Sequence, residues 1–215
     1  LIFYSDIYQL GDPILRLANR LASYGFVVAA PEIFHRVEPV GTVIEPDAIG
    51  RLRGNDAARR TEIASYDADA KAVLTWLSEQ TEVDEQRLGA IGFCIGGHLA
   101  FRAALRPEVR ATACLYPTGL QNGKLGRGIA DSLQRAGEIK GALFTLFGSE
   151  DPHVPAEDRD RVLEALRGLR HETVLFEANH TFMRDDGWRW DPDLADQAWA
   201  AVITFLRREL SPAQP

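Results

Sequence analysis

Residues 89–97 read GAIGFCIGG and set a single thiol where an apolar run meets a knot of glycines. The spacing Gly92-x-Cys94-x-Gly96 is that of a nucleophile elbow with sulfur in place of the usual hydroxyl. A residue lifted clear at a strand-to-helix turn holds a strained backbone, and small residues two positions to either side let strand and helix approach closely enough to impose it. The helix that starts there offers a positive dipole end and free N–H groups, which favour both a thiolate and a developing oxyanion. Such a nucleophile needs a base, and the base needs an orienting carboxylate, in the chain order nucleophile, acid, histidine. Asp151 in FGSEDPHVP and His180 in EANHTFMR follow in that order, each directly after an apolar run that reads as a strand. Asp151 also reads as a turn residue before Pro152, with Glu150 as the neighbouring carboxylate, and Cys94 alone would read as an ordinary buried thiol. Of the other histidines, His35 reads as a strand-end residue, His98 as part of a first helical turn and His171 as a surface residue. His153 draws more attention because it adjoins the Asp151 turn.

Positioning these groups calls for short apolar runs alternating with longer amphipathic ones, and the chain supplies them throughout. The pattern predicts an α/β chain with a mainly parallel, twisted sheet covered by helices on both faces. Strands are predicted at residues 1–4, from Phe26 to near Pro31, and at 87–93, 111–117, 142–148 and 172–177. Asp12 and Pro13 open a first helix whose apolar side is Ile14, Leu17 and Leu21 and which Gly25 ends. Further helices are predicted at 67–79, 98–105, 157–169 and from about Leu194 to Leu210. Between 36 and 64 the pattern weakens around Pro39, Gly41, Pro46 and Gly54; this stretch carries Arg51, Arg53, Arg59 and Arg60, reads as a long and partly helical excursion, and suits either a lid or substrate wall or a solvated irregular segment. TGLQNGKLGRG, residues 118–128, reads as a glycine-rich loop, and SPAQP at the end as a disordered tail of a single domain over 1–215.

GFCIGG, GSEDPHVP and NHTFMR in this order resemble the dienelactone hydrolase family of α/β-hydrolases. These are cysteine-dependent esterases, also called carboxymethylenebutenolidases, that open cyclic enol lactones during aromatic-compound degradation. The resemblance covers nearly the whole chain, and its specific mark is cysteine followed by a glycine pair where most α/β-hydrolases carry serine. It implies that Cys94 is the nucleophile, His180 the general base and Asp151 its orienter. It also sets SDIYQL against a Glu-Ile-Phe-like stretch of the family. Asp6 then replaces a glutamate beside the thiol, and the Ile7 N–H joins that of Ile95 as oxyanion donors. Aspartate is shorter by a methylene, which puts a direct bond to the Cys94 thiol in doubt; Glu32, in PEIF, is the weaker match. By the same likeness Arg184 holds a substrate carboxylate, with a second arginine somewhere among 51, 53, 59 and 60. Tyr116 is a pocket residue, and Trp188 and Trp190 either wall the entrance or pack the last helix. The expected partner is a small ester or lactone, possibly bearing a carboxylate, handled by a monomer without metal or cofactor. The open alternatives are a carboxylesterase or thioesterase of other range, a binding protein on the same fold, and a redox pair of Cys94 with Cys114.

Composition limits the choice. At 215 residues, 46% hydrophobic and 26% charged, the chain suits one domain with a sizeable core. A net charge of -7 argues against nucleic acid or an anionic membrane as partner, since both require a basic field. Two cysteines without zinc-like spacing fit a reducing, cytoplasmic setting, and no apolar run reaches the length of a membrane span. The chain starts without an initiator Met and inside an apolar run, so the expectation is an α/β-hydrolase whose first strands are missing from this sequence.

Overall fold

The apolar runs form a sheet buried on both faces, the environment that continuous rather than alternating hydrophobic strands require. The computed structural model describes residues 1–211, so the predicted tail lies, beyond Ser211, outside the described residues. Strands β1 (Ile2–Tyr4), β2 (Leu88–Phe93), β3 (Val109–Leu115), β4 (Ala142–Gly148) and β5 (His171–Phe176) pair in chain order, and every pairing is parallel. Every residue of β2 and of β4 is buried.

Six helices connect and cover these strands: α1 (Asp12–Ser23), α2 (Ala48–Arg60), α3 (Ile63–Ser78), α4 (Ile95–Ala103), α5 (Ala156–Ala165) and α6 (Pro192–Leu210). One core layer packs Leu74 and Leu77 of α3, Leu99 and Phe101 of α4 and Val162 of α5 against the sheet. The opposite layer packs Ile14, Leu17 and Leu21 of α1 with Trp199, Val202 and Phe205 of α6. Helices on both faces of a parallel sheet are the predicted architecture. Gly25, with φ 91°, donates its N–H to the Ala22 carbonyl at 2.9 Å and ends α1 as expected. Asp191 caps α6 by accepting the Leu194 N–H at 3.0 Å, starting that helix two residues before its predicted position.

One expectation needs correction. The predicted strand from Phe26 to near Pro31 is a single bridge, Ala29 beside Ile2, held by Phe3 N–H to Ala29 O at 2.8 Å and Ala29 N–H to Leu1 O at 2.9 Å. It lies at the sheet edge outside β1 and is half-buried, with Val27 and Ala29 packed toward one core layer and Phe26, Val28 and Ala30 toward the other, and no outer strand among the described residues extends the ladder. The stretch 36–64 is partly helical: it holds α2, whose start is fixed by the Asp47 carboxylate accepting the Gly50 N–H at 2.7 Å. Its arginines and glycines give it a weak apolar periodicity.

The β2–α4 turn shows why glycine is required on both sides of Cys94. A methyl group on Gly92 would fall 1.9 Å from the Gly96 carbonyl oxygen, and one on Gly96 would fall 2.3 Å from that of Ser5. Both obstacles are backbone, which cannot swing away. Gly96→Ala is therefore expected to cost on the order of 1–3 kcal/mol through overpacking. A lowered urea midpoint relative to the parent protein is the expected result; an unchanged midpoint would show that α4 is not pressed against the end of β1.

Candidate active site

Each strand delivers a residue of interest at its carboxyl end, the edge at which open α/β sheets gather ligands. Asp6 and Ile7 follow β1, Cys94 follows β2, Tyr116 and Thr118 follow β3, Asp151 and His153 follow β4, and His180, Thr181 and Arg184 follow β5. A cavity of about 730 Å³ opens over this edge, with Cys94, Ile7, Ile95, Thr118, His153 and His180 among its lining.

Cys94 sits at φ 60° and ψ -123°, a backbone conformation that a side chain rarely adopts and that costs about 1–3 kcal/mol. Its N–H donates to the Leu115 carbonyl at 3.1 Å and its carbonyl accepts the Thr118 N–H at 3.1 Å, so β3 grips the turn from both sides. As the first residue of α4, Ile95 has no intrahelical acceptor for its N–H. The Ile7 N–H likewise has no backbone partner among the described residues, and both residues face the cavity.

Asp151 is buried and uses both carboxylate oxygens: one accepts the His153 N–H at 2.8 Å, the other meets His180 Nδ1 at 2.6 Å. Glu150 is exposed and takes no part. The two loops are drawn together because Gly148 lacks a side chain; a methyl group there would fall 2.2 Å from the Ala178 carbonyl oxygen. His180 is 4% exposed. Burial works against its positive charge, but the charge of Cys94, the hydrogen bonds with Asp151 and Cys94 and the charge of Asp151 outweigh it and hold the imidazole up at about 9. The structure thus brings Cys94 and His180 to the wall of one cavity, with Asp151 hydrogen bonded behind the imidazole.

The flanking residues match the expected loss of a direct Asp6–thiol bond and depart from expectation at Tyr116. Asp6 makes no hydrogen bond to Cys94 among the described residues. One of its oxygens accepts the Tyr8 N–H at 2.8 Å and the other takes Arg184 Nη1 at 2.9 Å. Burial pushes this carboxyl up while Arg184 and the Tyr8 N–H pull it down, so a carboxylate at this depth is drawn to the cation rather than to the thiol. Arg184 also pairs with Asp186 at 2.8 Å and stacks over the Tyr8 ring at 4.6 Å. It lines the cavity with its charge already balanced by two carboxylates.

Tyr116 is not a lining residue. At 1% exposure it stands behind the site, its ring edge-on to His180 at 5.2 Å and tilted against Phe93 and Phe182. Trp188 and Trp190 do not line the cavity either; Arg189 between them does, stacked on Trp188 at 4.7 Å. Of the four arginines in the α2 segment, Arg51 and Arg59 face the cavity, Arg53 turns away to Glu38 at 2.6 Å and Arg60 lies near Asp56 at 3.7 Å.

Thr118 and the wall formed by the glycine-rich loop were not singled out as site contributors in the sequence, whereas His153 was marked by its place beside Asp151. Thr118 places its hydroxyl 3.6 Å from Cys94 Sγ, and the loop 124–128 walls the cavity. The ring of His153 lies 4.6 Å from that of His180, and its pKa is lowered first by burial and then by the His180 charge. Position in the Asp-Pro-His turn was the available signal for His153; for Thr118 there was none, since its placement depends on the β2–β3 pairing. His98 is buried on Ser132 Oγ at 2.7 Å, and burial lowers its pKa to about 3. Cys94 and Cys114 are both free thiols, the latter fully buried in β3 with its pKa raised by burial. No helix among the described residues is long and apolar enough to cross a membrane.

Comparison with known proteins gives the family. A model of the dienelactone hydrolase family matches residues 2–210. A Saccharomyces cerevisiae protein provisionally named carboxymethylenebutenolidase is 37% identical over 219 residues, which span 97% of this chain and 80% of the yeast protein. The carboxymethylenebutenolidase of Rhodococcus opacus is 27% identical over 217 residues, spanning 98% of this chain and 81% of that one. A Klebsiella pneumoniae structure provisionally described as a dienelactone hydrolase superimposes with a TM-score of 0.77 at 23% identity, covering 96% of this chain and 85% of that chain. A dienelactone hydrolase-like promiscuous phosphotriesterase from metagenomic libraries gives 0.75 at 22%, covering 98% and 86%. The structural likenesses carry the α/β-hydrolase fold; with the family match along almost its full length, this chain belongs to the dienelactone hydrolase family and is a hydrolase of ester or lactone bonds.

Proposed function

We propose that the protein is a cysteine-dependent hydrolase, folded as one domain, that opens an enol lactone or related ester bearing a carboxylate. The observation that carries this reading is the hydrogen-bonded Asp151–His180 pair opening on the same cavity as Cys94, whose thiol sits on a strained turn. Cys94 Sγ attacks the ester carbonyl, and the N–H groups of Ile7 and Ile95 take the developing oxyanion, each worth about 3 kcal/mol to the barrier. Collapse breaks the ring C–O bond and leaves a thioester and an enolate, which is a good leaving group and takes its proton from imidazolium or solvent.

The charge balance around His180 suits the second half. Two of the causes that hold His180 protonated come from Cys94, and both disappear once sulfur is esterified. The imidazole then loses its proton more readily and serves as general base for water, oriented by Asp151. Water attack breaks the C–S bond, gives the acid and restores the thiolate with its proton on His180.

Arg51 is the residue proposed to hold the substrate carboxylate. It faces the cavity and has no carboxylate partner among the described residues, whereas Arg184 already carries Asp6 and Asp186. Arg184 then acts beside it and keeps the Asp6–Ile7 loop in place. Thr118 is proposed as the hydroxyl that steadies Sγ, the part that the family likeness gave to the carboxylate at position 6.

Cys94→Ala is expected to lower the turnover of a chromogenic ester by at least about 10³-fold with the fold retained by circular dichroism. Full activity in that variant would remove the nucleophile assignment. Thr118→Val should slow iodoacetamide alkylation of Cys94 at neutral pH several-fold, as the loss of one hydrogen bond of about 1 kcal/mol requires, and Thr118→Ser should restore it. Equal alkylation rates in all three proteins would count against that role.

His180 titrates at about 9 in the folded protein, above the 6.5 of a free side chain. Its contribution to stability is therefore complete below pH 6.5 and is lost as pH rises through about 9. In an NMR titration the ring should show a midpoint near 9 that moves down in Cys94→Ala and in Asp151→Asn. A midpoint insensitive to both substitutions would break the proposed charge coupling.

A further inference from the structure

The cavity is larger and more cationic than one substrate carboxylate requires. On α2 the cavity-facing residues are Arg51, Asn55, Ala58 and Arg59, one stripe of the helix, and eight residues of rise separate its two ends by about 12 Å. The Arg51 end lies by the reacting centre: Gly54 packs so closely on the oxyanion loop that a methyl group there would fall 2.5 Å from the Ile7 carbonyl oxygen, and the Arg51 charge is felt by Tyr8 and His153. The Arg59 end lies where α2 passes into Thr61, and the glycine-rich loop docks at that point. Arg127 N–H donates to the Thr61 carbonyl at 2.8 Å and its guanidinium pairs with Glu62 at 3.0 Å. The loop therefore contributes Lys124 and Arg127 to the cavity wall, Arg127 at the Arg59 end of the stripe.

Lys124 has no carboxylate partner among the described residues, and Arg59 has only the exposed Asp56 at 3.3 Å. The lining also includes the apolar Ala58, Leu125 and Ile95. A single carboxylate cannot reach both ends of a stripe of this length. We propose that the cavity has a second anion subsite, formed by Lys124 with Arg59 and Arg127. It takes an ester whose acyl part runs along an apolar stretch and ends in an oxyanion, carboxylate or phosphate, roughly 10 Å from the reacting carbonyl. This deepens the hydrolase reading of the same cavity and rests on it.

The test compares two esters of one acyl length, p-nitrophenyl octanoate and the p-nitrophenyl monoester of suberic acid, which ends in a carboxylate. For exposed cations the gain is moderate and sensitive to salt. At low ionic strength kcat/KM for the suberate ester should exceed that for octanoate about 3- to 10-fold, and 0.5 M NaCl, at roughly a 4 Å screening length, should erase most of the difference. Lys124→Gln should bring the ratio to about one. Lys140→Gln, which makes the same change of charge just before β4 and away from the cavity, should preserve it. An analogue ending in a phosphonate separates the two ligand sources: a ratio above that of the carboxylate ester assigns a phosphate, an equal or lower one a carboxylate. Equal kcat/KM for octanoate and both anionic esters, or a preference that survives Lys124→Gln, overturns the subsite. Octanoate turnover that persists in Cys94→Ala strikes instead at the hydrolase reading, so the two failures are told apart.

Discussion

The backbone of Cys94 is the constraint on which the site depends. A residue at φ 60° and ψ -123° is held there only if its surroundings allow nothing easier, and three parts of the fold combine to do so. The fully buried β2 fixes the approach from one side, and α4 fixes the departure. β3 binds both the N–H and the carbonyl of Cys94, through Leu115 and Thr118. The glycines at 92 and 96 let these parts meet, since any side chain there would strike backbone. The strain is spent on placing a sulfur and an adjacent free N–H, that of Ile95, on the same side of the sheet edge, where a carbonyl carbon and its oxygen would need them together. Tyr116 and Thr181, also at positive φ, lie at the ends of β3 and in the loop after β5, so the irregular backbone gathers around one edge.

Charge adds a second layer to this geometry. His180 is buried, which by itself favours the neutral ring, yet its interactions with Cys94 and Asp151 favour the protonated one. Under the proposed mechanism the imidazole changes character during the cycle without moving: it is an acid partner while sulfur is charged and a base once sulfur is esterified. Asp151 is constant throughout, because one oxygen is fixed by the His153 N–H and the other by the imidazole. The edge of Tyr116 against the ring limits its rotation, an aromatic wall rather than a pocket contact.

Local chemistry was legible in the sequence; partner choice was not. The elbow, the strand-end positions of Asp151 and His180 and the run of β4 all follow from residue type and spacing within a few positions, and the family match supports the resemblance drawn from them. The segment after Phe26 looked like a strand because its residues are apolar, but an edge with nothing beyond it leaves only the bridge at Ala29. Helix α2 was legible only as a partly helical stretch because its glycines serve close packing and its arginines face the cavity or their own ion pairs, neither of which yields an apolar stripe. Tyr116 was read as a pocket residue by family likeness, and its ring is buried behind His180 instead.

Asp6 shows how burial fixes the partner of a carboxylate. A buried carboxylate must find a cation or lose its charge, and at this depth the available cation is Arg184, four residues beyond His180. Once that pair forms, Arg184 is oriented by Asp6 on one side and Asp186 on the other and lies flat on Tyr8. The pair ties the loop after β1, which carries the Ile7 N–H, to the loop after β5, which carries His180. Removing the guanidinium would therefore leave Asp6 uncompensated and loosen both loops at once. An Arg184 variant would report on the integrity of the oxyanion loop as much as on substrate binding, which makes Arg51 the cleaner probe of a carboxylate contact. The same exchange explains why a hydroxyl, Thr118, rather than a carboxylate stands beside the sulfur: with Asp6 committed to Arg184, the thiol's remaining neighbours are neutral or positive.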